Sequence, residues 1–307
     1  VFESSSSGGS WMSQWYYPKG SLRQGPWEAV VDESLPGWKY TGMRLADAKD
    51  STRFEIAPDN KERVIYMLSG ESTEVTYSTA GSSETVVLQG RQSVFHGAVD
   101  YLYLPIQSDI SFTTNGRVTV VEAVASVAKP VNLRKASDVP LLLRGAGKST
   151  RQIHDFGGVE HLDADRMVAV EVIAPSGNWS GVPPHKHDTY IPGVESNLEE
   201  VYYFELAPDR AYTPSGPTNP VAYFKTYSSD ERAMDELFEI RNGDIVLVPY
   251  GYHGPAAAMP GYDLYFMNVM AGPDPDRSWN VTNDPHHEWI RDTWDSEEKD
   301  PRLPYTA

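Results

Sequence analysis

Short runs in which apolar and polar residues alternate dominate the chain. From Trp38 onward they read WKYTGMRL, RFEIA, RVIYMLSGESTEVTYS, TVVLQGRQSVFHG, YLYLP and RVTVVEAVAS. Gly, Pro, Asp or Ser breaks the pattern at roughly ten-residue spacing, the mark of many short strands joined by turns. A period of two is that of a strand with one face in a core. The rhythm returns in MVAVEVIAPSG, VYYFEL, VAYFKTYS, ELFEIRNGDIVLVPYG and YDLYFMNVMAG. The two halves share strand spacing without obvious identity, which predicts an all-β chain of two β-barrels of one type. Between them, AKPVNLRKASDVPLLLRGAGKST (128–150) has no clear period and reads as a connection.

The expected boundaries are a flexible tail over 1–19, a first barrel over 20–135 and a second barrel with its tail over 136–307. Within the first stretch, VFESSSSGGSW (1–11) is Ser/Gly-rich, as a flexible tail or an expression remnant would be. Near the end, HEWIRDTW follows the turn signal Asp284-Pro285 and predicts a short helix.

Composition narrows the function classes. At 307 residues, 40% hydrophobic and 11% aromatic, the chain suits two packed domains rather than disorder. A net charge of −17 argues against nucleic acid or an anionic membrane as partner. An anionic small molecule is still admissible if a local basic pocket receives it. No apolar run reaches the roughly 18 residues of a membrane span. No signal-peptide pattern is present, so the expected compartment is the cytoplasm. With no cysteine, any metal must be held by nitrogen and oxygen ligands. The sequons at Asn178 and Asn280 are read as chance matches.

The candidate chemistry centres on PPHKHD (183–188). His185 and His187 stand two apart, which on a strand turns both imidazoles to one face. Glu199 and Glu200 open the next apolar run, and His253 follows in GDIVLVPYGYHGP. Three imidazoles and one carboxylate make a divalent-metal donor set, with zinc expected first and Mn, Fe, Ni or Co also suited to such ligands. Adjacent strand residues face opposite ways, so only one acid of the pair can ligate. Periodicity does not choose: Tyr202, Phe204 and Leu206 go with Glu200, and Val201, Tyr203 and Glu205 with Glu199. His96, alone beside apolar neighbours in the first half, reads as structural, and the adjacent His286 and His287 diverge on any regular element.

At these residues a resemblance becomes specific. GNWSGVPPHKHD, LEEVYYFEL, GDIVLVPYGYHGP and GYDLYFMNVMAGP resemble the bicupin sugar-acid isomerases, over roughly Trp38 to Trp289. That group includes the 5-deoxy-glucuronate isomerases of myo-inositol catabolism and the pectin-pathway isomerases of 4-deoxy-5-keto-uronate; the former are the nearer match. The resemblance implies two cupin-type barrels, only the second with metal ligands, and an aldose–ketose isomerisation of 5-deoxy-glucuronate to 5-dehydro-2-deoxy-gluconate. It fills the histidine places with His185, His187 and His253. Laying VYYFEL on the family strand puts the carboxylate ligand at Glu199, with Glu200 as the stated alternative. A catalytic base would then be the other acid of the pair, here Glu200, or Glu205. For an anionic sugar substrate, Arg151 and Lys225 are candidate carboxylate partners and Tyr203 and Tyr265 candidate cavity residues. The keto-uronate reaction, a non-catalytic sugar-binding bicupin and an oxygenase are the competing readings. A degenerate first barrel with unpaired β-edges also leaves room for a homo-oligomer.

Overall fold

Strands carry nearly all the regular structure of the computed structural model, which describes residues 13–229 and 232–306. The proposed tail over 1–11 lies outside the described residues. Two β-barrels follow one another along the chain, each with two sheets closing around a core.

In the first barrel a single long strand, Lys61–Thr79, serves both walls. Its first part pairs with Tyr101–Leu104 and Arg117–Val124, and its second with Ser82–Arg91 and Asp109–Thr114. A register shift between Met67 and Ser69 marks the change, as an irregularity that bends a strand would. The burial pattern changes there too. Lys61 to Leu68 are all buried, because both faces of that stretch are covered. Beyond it the strand alternates, with one face in water.

The second barrel has a seven-stranded sheet in the order Tyr16–Tyr17, Ile245–Val248, Glu199–Pro208, Tyr262–Ala271, Val168–Ala174, Arg151–Gly157 and Leu141–Arg144. Its opposing sheet carries Arg232–Ile240, Ala222–Ser229, Tyr252–Ala258, His185–Lys186 and Thr282–Asn283, with Trp179–Ser180 also paired to Tyr252–Ala258. Part of the expected N-terminal tail is therefore a strand. Tyr16 pairs with Val246 and Tyr17 with Ile245, and the Tyr16 hydroxyl donates to Asp244 at 2.6 Å. The connection is also structured. Asn132–Arg134 ends the first barrel's sheet and Leu141–Arg144 the second's. Both are edge strands with no fully buried residue, which is why the alternation signal is missing there. The short helix predicted in HEWIRDTW is present as Ile290–Thr293.

The barrels join across the outer face of the seven-stranded sheet. Val201, Tyr203, Tyr265, Met267, Val269 and Ala271 share one core with the first barrel. Each large side chain buried there contributes about 1.5–3 kcal/mol. The polar ties are reciprocal. Glu62 of the first barrel accepts from the backbone N–H groups of Asp165, Arg166 and Met167 at 2.6–2.8 Å. Glu199 of the second accepts from those of Lys39, Tyr40 and Thr41.

Candidate metal centre

Register brings the histidines together. His185 lies directly opposite His253 in the ladder between His185–Lys186 and Tyr252–Ala258. Their ring centroids are 4.5 Å apart, and the His187 ring is 4.8 Å from His253. One nitrogen from each imidazole lies within 4.8 Å of the others. The two segments approach this closely because Gly181 and Gly254 face each other, both at positive φ. A Cβ on Gly254 would stand 2.2 Å from the Gly181 carbonyl oxygen.

The carboxylate that meets these imidazoles is Glu200. On Glu199–Pro208 the even positions Glu200, Tyr202, Phe204 and Leu206 face the second barrel's interior, and the odd positions face the first barrel. Glu200 Oε2 lies 3.1 Å from His187 Nε2 and 3.2 Å from His253 Nε2, and Oε1 accepts from Asn268 Nδ2 at 2.5 Å. The expectation of Glu199 as ligand is corrected: its carboxylate points the other way and ties the barrels through backbone N–H groups. A shift of one residue along a strand inverts the face, which is what separates Glu199 from Glu200.

Burial alone would raise Glu200, but the imidazoles of His187 and His253 beside it outweigh that and hold the carboxyl far below the usual range. His185 is pushed well down by burial and then by the two neighbouring imidazoles. Burial would also lower His187, yet the Glu200 carboxylate beside it raises it.

His185, His253 and Glu200 line one wall of a cavity whose empty volume, counting its open mouth, is about 910 Å³. Ile153, Val170, Val172, Phe224 and Phe266 form an apolar surround, with Tyr202, Asn268 and Trp279 among them. Such a pocket, mostly apolar with a few converging polar groups, is the usual form of a small-molecule site.

The KduI/IolB family matches residues 15–290. The 5-deoxy-glucuronate isomerase of Geobacillus thermodenitrificans is 35% identical over 86% of this chain and 90% of its own length. That of Bacillus subtilis is 31% identical over 82% and 88%. The chain belongs to the KduI/IolB family. An IolB-like protein of Salmonella typhimurium, known by crystal structure, superposes with a TM-score of 0.78 at 30% identity, covering 91% of this chain and 99% of the other. Lactobacillus farciminis oxalate decarboxylase, in a formate complex, superposes with a TM-score of 0.58 at 12% identity over 90% of each chain, a likeness of fold alone. The fold is that of two cupin-type barrels, and the protein, like its KduI/IolB relatives, is an isomerase.

Within this family member only some expected substrate residues reach the cavity. Arg151 lines it. Tyr203 is fully buried between the barrels, where its hydroxyl donates to Glu205 at 3.0 Å. Glu205 itself pairs with Arg117 of the first barrel at 2.7 Å, so it is no candidate base for the cavity. The Tyr265 hydroxyl donates to Glu171, again between barrels. Lys225 pairs with Asp235 on the outer surface. All four corrections have one cause: each residue stands on the face of its strand that turns away from the second barrel's interior. Sequence reasoning also passed over Asn268, whose cross-strand partner is Tyr202, and Arg144, Trp279 and Arg291. His96 bonds Ser93 at 2.7 Å, and His286 and His287 do not line the cavity.

The donor set fits a divalent cation. His187 Nδ1 lies 3.0 Å from the Leu198 carbonyl oxygen, so that nitrogen carries the proton and Nε2 presents a lone pair toward Glu200. His253 Nδ1 is 3.4 Å from the Gly251 carbonyl oxygen, and its buried Nε2 has no hydrogen-bond partner among the described residues. Two lone pairs aimed at one carboxylate oxygen repel unless a cation or proton lies among them. Backbone carbonyls that fix the imidazole tautomer are the usual outer support of such ligands.

Proposed function

We propose that this KduI/IolB-family chain is a metal-dependent aldose–ketose isomerase that converts 5-deoxy-glucuronate to 5-dehydro-2-deoxy-gluconate in inositol catabolism. The observation that carries the reading is the convergence of His185, His187, His253 and Glu200, with His185, His253 and Glu200 lining a sugar-sized cavity. Relatives named 5-deoxy-glucuronate isomerase support the choice of sugar.

In this reaction a hydrogen leaves C2 for C1 and the C2 hydroxyl proton passes to the C1 oxygen. No atom is gained or lost. His185, His187, His253 and Glu200 would hold the ion, for which zinc is the proposal. When bound, a divalent ion supplies Lewis acidity to substrate oxygens and favours loss of the hydroxyl proton. The protein's own part is placement. Asn268 fixes one oxygen of Glu200. Burial, and then the neighbouring charge of Glu200, raise Tyr202 well above its ordinary value and keep its hydroxyl protonated. The apolar surround of Val170, Val172, Phe224 and Phe266 excludes water from a reactive carbonyl. The partner in this reading is a small anionic sugar, in the cytoplasm, with no role for nucleic acid or membrane at a net charge of −17.

The test pairs elemental analysis with turnover of 5-deoxy-glucuronate and 4-deoxy-5-keto-uronate side by side. The wild type should carry about one ion per chain and prefer the first sugar, while the His185→Ala, His187→Ala double variant should have neither ion nor turnover. Turnover of the keto-uronate alone would move the reading to the pectin-type reaction. Bound metal without turnover of either sugar would leave a non-catalytic sugar-binding bicupin.

A further inference from the structure

Three arginines converge on the same cavity as the histidines. Arg144 ends the edge strand Leu141–Arg144, Arg151 opens the neighbouring strand, and Arg291 comes from the C-terminal helix Ile290–Thr293. Among the described residues, no carboxylate lies within 4.0 Å of any of the three guanidinium groups. The contrast with the rest of the molecule is what gives this weight. Arg63 pairs with Glu122, Arg91 with Glu171 and Arg117 with Glu205. In a chain with 43 acidic and 26 basic residues, three cations gathered without an acid are held apart from an abundant supply of partners.

What holds them is aromatic. The Arg151 and Arg291 guanidinium carbons lie 5.8 and 5.9 Å from the Trp294 ring centroid, and that of Arg144 lies 5.8 Å from the centroid of Trp279. Stacking on indole faces supports a guanidinium while leaving its N–H edges free. Arg151 spends one N–H on the Ser149 carbonyl at 3.2 Å. Trp279, which lines the cavity, has a buried indole N–H with no hydrogen-bond partner among the described residues. Burial, and then the charges of Arg144 and Arg291, push Arg151 down to about 10, so the cluster is electrostatically unsatisfied.

We infer that Arg144, Arg151 and Arg291 form the site for the carboxylate of a sugar acid, placing its opposite end at the imidazole wall and making the cavity selective for uronates over neutral sugars. The assignment of an isomerisable uronate rests on the proposed function; the anion site itself rests on the arginines. A bidentate guanidinium contact supplies both charge and orientation. Because Arg291 belongs to the tail, the C-terminal segment is a working wall of the cavity.

The experiment measures binding of D-glucuronate and its uncharged amide, D-glucuronamide, to metal-loaded protein by calorimetry, with bound metal and turnover of 5-deoxy-glucuronate recorded on the same samples. The wild type should prefer the acid. Arg151→Ala, Arg144→Ala and Arg291→Ala should each reduce affinity for the acid by about 10- to 100-fold, the value of a hydrogen bond to a charged group, with amide binding and bound metal unchanged. Arg144 and Arg291 have exposed side chains, so those variants keep the test open if Arg151→Ala does not fold. Equal binding of acid and amide by the wild type, binding of neither, or an undiminished preference in the Arg144 and Arg291 variants would each overturn the assignment. A preserved preference for the acid without turnover would instead sink the isomerase reading and leave the anion site standing.

Discussion

The two barrels begin their central strands almost alike and put opposite charges at the same place. The first opens with Glu62, Arg63, Val64, Ile65 and Tyr66; the second with Glu199, Glu200, Val201, Tyr202 and Tyr203. Register equates them, because Glu62 pairs with Ala123 of one neighbouring strand and Glu199 with Ala271 of the other. Both leading glutamates reach into the opposite barrel to cap three backbone N–H groups. The next residue turns inward, and there the barrels part. Arg63 is fully buried and neutralised by Glu122 and Asp59, each at 2.6 Å. Beyond it Trp27, Phe54 and Phe112 pack at centroid distances of 4.8–5.9 Å and fill the space between the sheets. Glu200 instead meets imidazole nitrogens and an open cavity. One interior is closed in charge and volume. The other gathers three imidazoles around a carboxylate and has room for a ligand, and that separates a scaffold from a site on a shared frame.

The sharpest test of that contrast is Glu200→Gln. It is isosteric and keeps the acceptor for Asn268, so the fold should survive with its melting temperature nearly unchanged. Turnover should fall by about 10²- to 10⁴-fold, the range for removing an acid–base or ligand group. Kinetics on the variant alongside thermal melting decide it; full activity would show that the histidines work without this carboxylate.

The mirror substitution, Arg63→Met, should do the reverse. Removing one partner of a buried pair leaves Glu122 without its counter-charge and costs roughly 3–5 kcal/mol. Urea titration should show that loss, while turnover per folded molecule stays at the wild-type level. A large loss of kcat would mean that the first barrel is more than scaffold.

Between the barrels, Glu171 supplies a pH test. Burial would raise its carboxyl, but Arg91, with hydrogen bonds that include His154, outweighs it and holds the group at about 2. Unfolded, a glutamate titrates near ~4.3. A depressed folded value means that the stabilisation is fully present above the unfolded value and lost as pH falls toward 2. Acid unfolding of the wild type should therefore steepen across that window, and Glu171→Gln should flatten the dependence there. Identical acid profiles would rule this tie out as the acid-labile joint.

Much of this was legible in the sequence. Period-two runs marked the strands, because half-buried strands must alternate, and the histidines stood out because three imidazoles rarely gather without a task. The edge strands at 132–134 and 141–144 were not legible, since neither has a fully buried residue. The choice between Glu199 and Glu200 lies in the repeat itself: setting ERVIYM (62–67) on EEVYYF (199–204) pairs Glu62 with Glu199 and identifies that position as structural in both halves. The corrected residues Tyr203, Glu205 and Tyr265 share an origin. Where a sheet is covered on both faces, inward and outward positions are equally apolar, and hydrophobicity carries no information about which face holds the cavity.

The smallest effect expected is at the paired glutamates themselves. Glu199→Gln keeps an oxygen for the N–H groups of Lys39, Tyr40 and Thr41 but removes the charge that strengthens those bonds, and Glu62→Gln does the same at Asp165, Arg166 and Met167. Each substitution should cost about 1.5–3 kcal/mol at most. The two sites lie on different strands with separate partners, so their effects should add within about 0.5 kcal/mol. Bound metal should stay at the wild-type level in both variants. Equal costs would make the inter-barrel joint a true repeat. A loss of metal in Glu199→Gln alone would return that residue to the ligand set and undo the assignment of Glu200.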